Sequence, residues 1–239
     1  MKTKKIILFI VEGKTDKIAL GMAIQNCFAD KADSIRIEFT CVGGDILGKY
    51  EGQKTNVKNV IPAIEAKVKE VIKREHLKAT DISHVIQIID TDGVFVQNIN
   101  NLKSDETCEH FFYGESTIAA KERAWILKRN IVRIANIEKL LGTKEICKIP
   151  YQLFFMSCNL DHVIANERNL PKKDKVKEKI ATNFEREIGA NKTLFENFLK
   201  EHLTPGASTF EESWDYLKIG THSLDRHTNL YFAINGTNS

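Results

Sequence analysis

The chain has 239 residues, 42% hydrophobic and 28% charged, with a formal net charge of +3 from 35 Lys+Arg against 32 Asp+Glu. That is ordinary globular composition, enough for one sizeable domain or two small ones, and the near balance of charge excludes a strongly basic nucleic-acid coat while leaving local patches open. Five scattered cysteines (Cys27, Cys41, Cys108, Cys147 and Cys158) show no CxxC or Cys/His spacing. They exclude a disulfide framework and a zinc site, and are expected as reduced, buried thiols of a cytosolic protein. The start, MKTKKIILFIVEGKTD, has a basic tip and an apolar run, but the run is too short for a signal peptide and Glu12 follows it without a small-residue cleavage site. No segment approaches the ~20 apolar residues of a membrane span. The expectation is a soluble, cytoplasmic protein.

Ile6 to Val11 (IILFIV) is a continuous β-rich apolar run, as in a parallel strand buried on both faces. Thr15 reads as the N-cap of the helix that follows. Ile35 to Val42 alternates more clearly, which predicts a strand with a wetter face or edge, ended by Gly43-Gly44. Val57 to His76 is an amphipathic helix with Val60, Ile61, Ile64, Val68, Val71 and Ile72 on its apolar stripe. His84 to Ile89 is a third strand. The order β-α-β-α-β predicts an α/β fold with a largely parallel sheet.

Gln97 to Tyr113 reads as a loop and Thr117 to Leu141 as a helix. Within it, KERAWILKRNIVR reads as a solvated basic face over a packed stripe of Trp125, Ile126, Ile131, Val132 and Ile134. Tyr151 to Cys158 is a further buried strand, and Asn159 the N-cap of the next helix. Pro171 to Leu203 is Lys/Glu-rich and helical, starting from the solvated run PKKDKVKEK. Phe210 to Leu217 is a short helix, and the tail TNLYFAIN is expected as a closing strand. Residues 1–164 are thus predicted to form the core, with a helical insertion at about 97–150, and residues 165–239 a mainly helical extension packed on it.

Three of these strands end in acids: Glu12, then Asp90-Thr91-Asp92, then Asp161. Ligands of open α/β sheets bind at the carboxyl ends of the strands, so parallel neighbours would bring these carboxylates to one edge. One acid after an apolar strand is ordinarily the chain returning to water; three with the same placement carry a reading. Crowded carboxylates raise one another's pKa unless a cation is present, and Mg²⁺ or Mn²⁺ prefers oxygen ligands. Asp90 and Asp92, two apart on an extended backbone, are expected on one side, sharing one ion or bracketing two. Such an ion activates water or stabilises charge on a phosphate. Gly13-Lys14-Thr15 is not a phosphate loop, because that motif needs a glycine where Leu8 sits.

Strand-VEGKTD followed by strand-DTD resembles the Toprim domain of topoisomerases, bacterial primases, small RNA-maturing nucleases and OLD-type nucleases. The match covers roughly residues 4–164. The resemblance implies a Rossmann-like core, Mg²⁺-dependent phosphodiester chemistry on RNA or DNA, Glu12 as acid/base or metal ligand, and Asp90 and Asp92 as the metal-binding pair. The OLD-type branch adds an acid early in the first helix, here Asp16, and an Asp-Leu-Glu after a later strand. Asn159-Leu160-Asp161 stands there instead, leaving Asp161 as a shorter substitute. Stand-alone proteins of this kind resemble bacterial or phage-related defence effectors. The alternative is a non-catalytic interaction or sensor module working with a separate ATPase partner. A homodimer is compatible with either. Lys14 beside Glu12, and His222, Arg226 and His227 in HSLDRHTN, are the candidate nucleic-acid contacts; the competing reading of HSLDRHTN is a capped surface turn.

Overall fold

In the computed structural model, which describes residues 4–50, 53–171 and 174–236, the first apolar run forms β1 (Lys5–Val11), buried from Ile6 onward. Helix α1 (Lys14–Cys27) follows, then β2 (Ile35–Cys41) and a short hairpin of β3 (Lys49–Tyr50) and β4 (Gln53–Lys54). Next come α2 (Val60–Arg74) and β5 (Ile82–Asp90). The insertion contributes β6 (Leu102–Ser104), β7 (Phe112–Tyr113), β8 (Ile118–Ala120) and α3 (Arg123–Leu141). Then β9 (Glu145–Ile146) turns into β10 (Ile149–Met156). The remainder is helical: α4 (Leu160–Ala165), α5 (Asp174–Phe184) running into a π-helical turn at Glu185–Gly189, α6 (Lys192–Glu201), α7 (Phe210–Leu217) and α8 (Leu230–Gly236).

The main sheet runs β2-β1-β5-β10-β9; its first four strands are mutually parallel and β9 is an antiparallel edge. The chain moves one way from β1 to β2, then crosses back to place β5 on the other side of β1. The seam between β1 and β5 is therefore the point where strand order reverses, the place where an open α/β sheet leaves a crevice at its carboxyl ends. Alternation along β1 explains the layers. Ile7, Phe9 and Val11 pack against α1, α4, α5, α6 and α8, while Ile6, Leu8 and Ile10 pack against α2, α3 and α7. The protein is thus an α/β fold with a five-stranded, mostly parallel sheet flanked by helices, a small second sheet and a helical C-terminal part. Among the described residues no helix is long and apolar enough to cross a membrane.

Several expectations change. The insertion is not purely helical: β6, β8 and β7 form a three-stranded sheet across the segment read as loop and helix start, and α3 begins only at Arg123. Its buried face is Ile126, Asn130, Arg133, Asn136, Ile137 and Leu140, with Trp125, Ile131 and Val132 exposed, so polar side chains hold part of the stripe expected to be apolar. The closing strand is a single antiparallel bridge, Thr228 to Met156, before the chain turns into α8. Side chains replace the missing strand there. Thr228 Oγ1 donates to the Phe155 carbonyl at 2.7 Å, and Asn229 Oδ1 accepts the Phe155 N–H at 2.9 Å, which satisfies the open edge of β10. All five cysteines are free; Cys27 and Cys158 are buried and the other three half-buried. Of the predicted helix start at Pro171–Lys179, Lys172 and Lys173 lie outside the described residues, as do Met1 to Thr3.

Candidate active site

Glu12 leaves β1 and Asp90 ends β5, so adjacent parallel strands deliver both to the seam. Glu12 Oε1 accepts the Asp90 N–H at 3.2 Å. The Glu12 carbonyl accepts N–H groups from Gly43 and Gly44 at 3.0 and 3.1 Å, tying the end of β1 to the turn after β2. Gly13, not Thr15, is the N-cap of α1: the Asp16 carboxylate accepts the Gly13 N–H at 2.8 Å and faces the acids of the seam.

The Asp90-Thr91-Asp92-Gly93 segment is not extended. Asp92 has φ +51° and Gly93 φ +65°, so the chain turns sharply as it leaves the sheet. Thr91 is buried and pins the turn: its Oγ1 donates to the Ser223 carbonyl at 3.2 Å and accepts the Cys158 N–H at 3.0 Å. Gly93 is required by position, since a Cβ there would lie 2.5 Å from Leu224 Cδ2 and 2.9 Å from Ile118 Cδ1. The turn replaces the extended backbone expected there, and the two carboxylates take different partners. Asp90 Oδ1 accepts the Leu160 N–H at 2.9 Å, whereas the Asp92 carboxylate meets Arg133 Nη1 at 3.0 Å.

Arg133 is the residue the sequence pattern concealed. Its side chain is 2% exposed, projects from α3, pairs with Asp45 and Asp92 through Nη1, and donates from Nη2 to the Asp90 carbonyl at 2.8 Å. Arg129, one turn earlier, donates to the Asp92 carbonyl at 2.8 Å and to Tyr113 Oη at 3.0 Å, and stacks on the Phe111 ring at 4.2 Å. On the opposite flank Lys177 of α5 pairs with Asp161. The signal available in the sequence was Arg133 standing among the apolar positions of a helical repeat; a buried arginine needs a carboxylate partner.

Charge and burial are unevenly matched. Burial, then the neighbouring Asp90 and Asp45, push the Glu12 carboxyl well above its usual range, with Arg133 opposing. Burial, then Asp16, Asp92 and Asp161, do the same to Asp90. Asp16 is raised by burial and by Asp161. For Arg133 burial works against the charge, but Asp45, Asp92 and Glu12 outweigh it and hold the guanidinium protonated.

These groups floor a cleft of about 1100 Å³ walled by insertion residues 105–113 on one side and by residues after β10 on the other, Arg168 and Lys177 among them. Glu12, Asp90, Asp92 and Asp161 all line it; Asp16 lies in a smaller space behind Glu12 and Asp90. The donor set is carboxylate oxygen throughout, which fits a hard divalent cation in kind. As the side chains stand, among the described residues no three His, Cys, Asp or Glu are close enough to hold a metal ion. Lys14 is exposed at the start of α1 and does not line the cleft. His222, Arg226 and His227 do not line it either. Arg226 Nε donates to the carbonyls of His162 and Val163 at 3.0 and 2.9 Å, and His222 stacks on Tyr216 at 4.1 Å between centroids. In comparisons with known proteins, no family model, no curated protein and no solved structure matches this chain.

Proposed function

We propose that the protein is a metal-dependent nuclease that hydrolyses phosphodiester bonds in RNA or DNA, on a core that resembles the Toprim domain. One observation carries the reading: Glu12 and Asp90 meet at the carboxyl-end seam of β1 and β5, in a cleft, with their ionised forms disfavoured by burial and by neighbouring carboxylates. A cluster so arranged is costly unless a cation shares it. Glu12 and Asp90 would hold Mg²⁺ or Mn²⁺, with Asp92, Asp16 and Asp161 as the surrounding acids. When bound, such an ion supplies an activated water and stabilises charge on the phosphate. The resemblance implies Glu12 as acid/base or as metal ligand, and its place at the end of β1 beside Asp90 suits either role. Arg133 fixes the turn that carries Asp92 by gripping the Asp90 carbonyl. A role as a bacterial or phage-related defence effector follows from the same resemblance, and the cysteine usage suits a cytoplasmic setting.

A second reading is favoured by a different observation: Asp92 and Asp161 are already paired with Arg133 and Lys177. On this reading the chain is a non-catalytic interaction or sensor module working with a separate ATPase, as a monomer or a homodimer. The experiment that separates the two incubates the full chain with labelled tRNA, single-stranded DNA and plasmid in Mg²⁺ or Mn²⁺, beside Glu12→Gln and Asp90→Asn. Cleavage by the wild type alone supports the nuclease. Cleavage that persists in folded Asp90→Asn removes it, and no cleavage together with no metal binding favours the module.

A further inference from the structure

The cleft has two chemically different walls. The wall from the insertion is acidic and aromatic, carrying Asp105, Glu109 and three consecutive aromatic residues, Phe111, Phe112 and Tyr113. Phe111 and Tyr113 both engage Arg129. Phe112 lines the cleft, is 53% exposed, and makes no ring contact among the described residues. The second wall carries Arg168 and Lys177. Lys177 pairs with Asp161, whereas Arg168 is half-buried and pairs with no carboxylate among the described residues. The walls are fastened together where they meet: Asn169 Oδ1 accepts the Tyr113 N–H and Asn169 Nδ2 donates to the Tyr113 carbonyl, both at 2.8 Å. The exposed ring therefore stands on an anchored edge strand.

An exposed large aromatic ring on a fixed backbone, inside a cleft rather than on a convex surface, is a stacking platform for a planar ligand. A duplex presents phosphates along both of its margins, and one margin would face Asp105 and Glu109. A single strand separates its chemistry, phosphates on one side and bases on the other, and so matches a cleft with one cationic and one aromatic wall. We propose that the cleft takes a single nucleic-acid strand, an unpaired base stacking on Phe112 and the adjoining phosphate lying against Arg168. The inference deepens the nuclease reading and rests on it for the strand's approach to Glu12 and Asp90.

The test is an anisotropy titration of the full chain, with Ca²⁺ replacing Mg²⁺, against labelled oligo(dT), oligo(U), an abasic oligomer and a duplex, each of about 12 nucleotides or base pairs. Single strands are expected to bind at least about tenfold tighter than the duplex, and Phe112→Ala to weaken them about tenfold while Phe112→Trp does not. The abasic oligomer is expected to be indifferent to Phe112→Ala, and Arg168→Gln to weaken every probe. Because Phe112 is exposed, an unchanged melting temperature for Phe112→Ala shows the fold intact. Preference for oligo(dT) or for oligo(U) supports the inference either way. Equal binding of duplex and single strand, no binding of any probe, or affinity untouched by Phe112→Ala overturns it. A parallel Mg²⁺ assay keeps the two readings apart: hydrolysis indifferent to Phe112 and to strandedness spares the nuclease and removes this inference, while Phe112-dependent binding without hydrolysis does the reverse.

Discussion

The two sides of the cleft floor hold their carboxylates by different means. Toward α3, Asp45 and Asp92 share one buried guanidinium, and the backbone of the Asp90–Gly93 turn is held by Arg133 and Arg129. Along the β1–β5 seam, Glu12 and Asp90 accept, among the described residues, backbone N–H groups only, and neighbouring carboxylates crowd them, with Asp16 behind. The first arrangement is a permanent structural brace, since a buried arginine stays charged and costs much to leave unpaired. The second is a set of carboxylates whose charge is disfavoured by burial and by neighbouring carboxylates. The chain supplies its own cation where a fixed turn is needed; under the proposed function the seam acids would take one from outside.

The comparison breaks first at Arg133. Arg133→Met removes the shared partner of Asp45 and Asp92 and the donor to the Asp90 carbonyl, and is expected to cost about 3–5 kcal/mol of stability in urea unfolding. A cost below about 1 kcal/mol would mean that the brace is not one. Asp90→Asn is expected to reduce hydrolysis by at least about a hundredfold while raising the melting temperature of the metal-free protein, since it removes a buried repelling charge and keeps an acceptor for the Leu160 N–H. Gly93→Ala, at φ +65° and against Leu224 and Ile118, is expected to destabilise by roughly 2 kcal/mol, read from the same urea curves.

The seam also sets a pH dependence. Folded Glu12 and Asp90 keep their protons to higher pH than the unfolded chain does, so the folded state binds more protons above the ordinary carboxylate range. Their contribution to metal-free stability is full below that range and is lost as pH rises through the raised folded values. The melting temperature without divalent cation is expected to fall as pH rises above the ordinary carboxylate range, and Mg²⁺ to restore most at the alkaline end. A rising curve would contradict it. The smallest effect belongs to Lys177→Met, whose partly exposed pair with Asp161 is expected to contribute about 1 kcal/mol or less, measured by a double-mutant cycle with Asp161→Asn.

What could be read from the residues follows the physics of each element. Strands buried on both faces announce themselves as apolar runs, so β1, β5 and β10 were legible, and with them the meeting of Glu12 and Asp90. The small sheet was not, because β6, β7 and β8 are two or three residues long and too short to show a period. TNLYFAIN misled because it is apolar at a strand's density, yet two side chains of Thr228 and Asn229 satisfy the β10 edge and free the rest to coil as α8. The acid pair at Asp90 and Asp92 was visible, but not the turn that carries it, since the left-handed conformation at Asp92 is fixed by contacts from Cys158 and Ser223 far along the chain. Arg133 was hidden because its partners Asp45 and Asp92 come from separate segments.

The central claim is that the seam acids take a cation that the chain does not supply. Titrating the full chain with Mn²⁺ and then Mg²⁺ in a calorimeter, beside Glu12→Gln, Asp90→Asn and Lys177→Met, addresses it directly. The account predicts saturable binding by the wild type and by Lys177→Met, lost in Glu12→Gln and Asp90→Asn. No binding by the wild type, or binding that survives both seam substitutions, would contradict it.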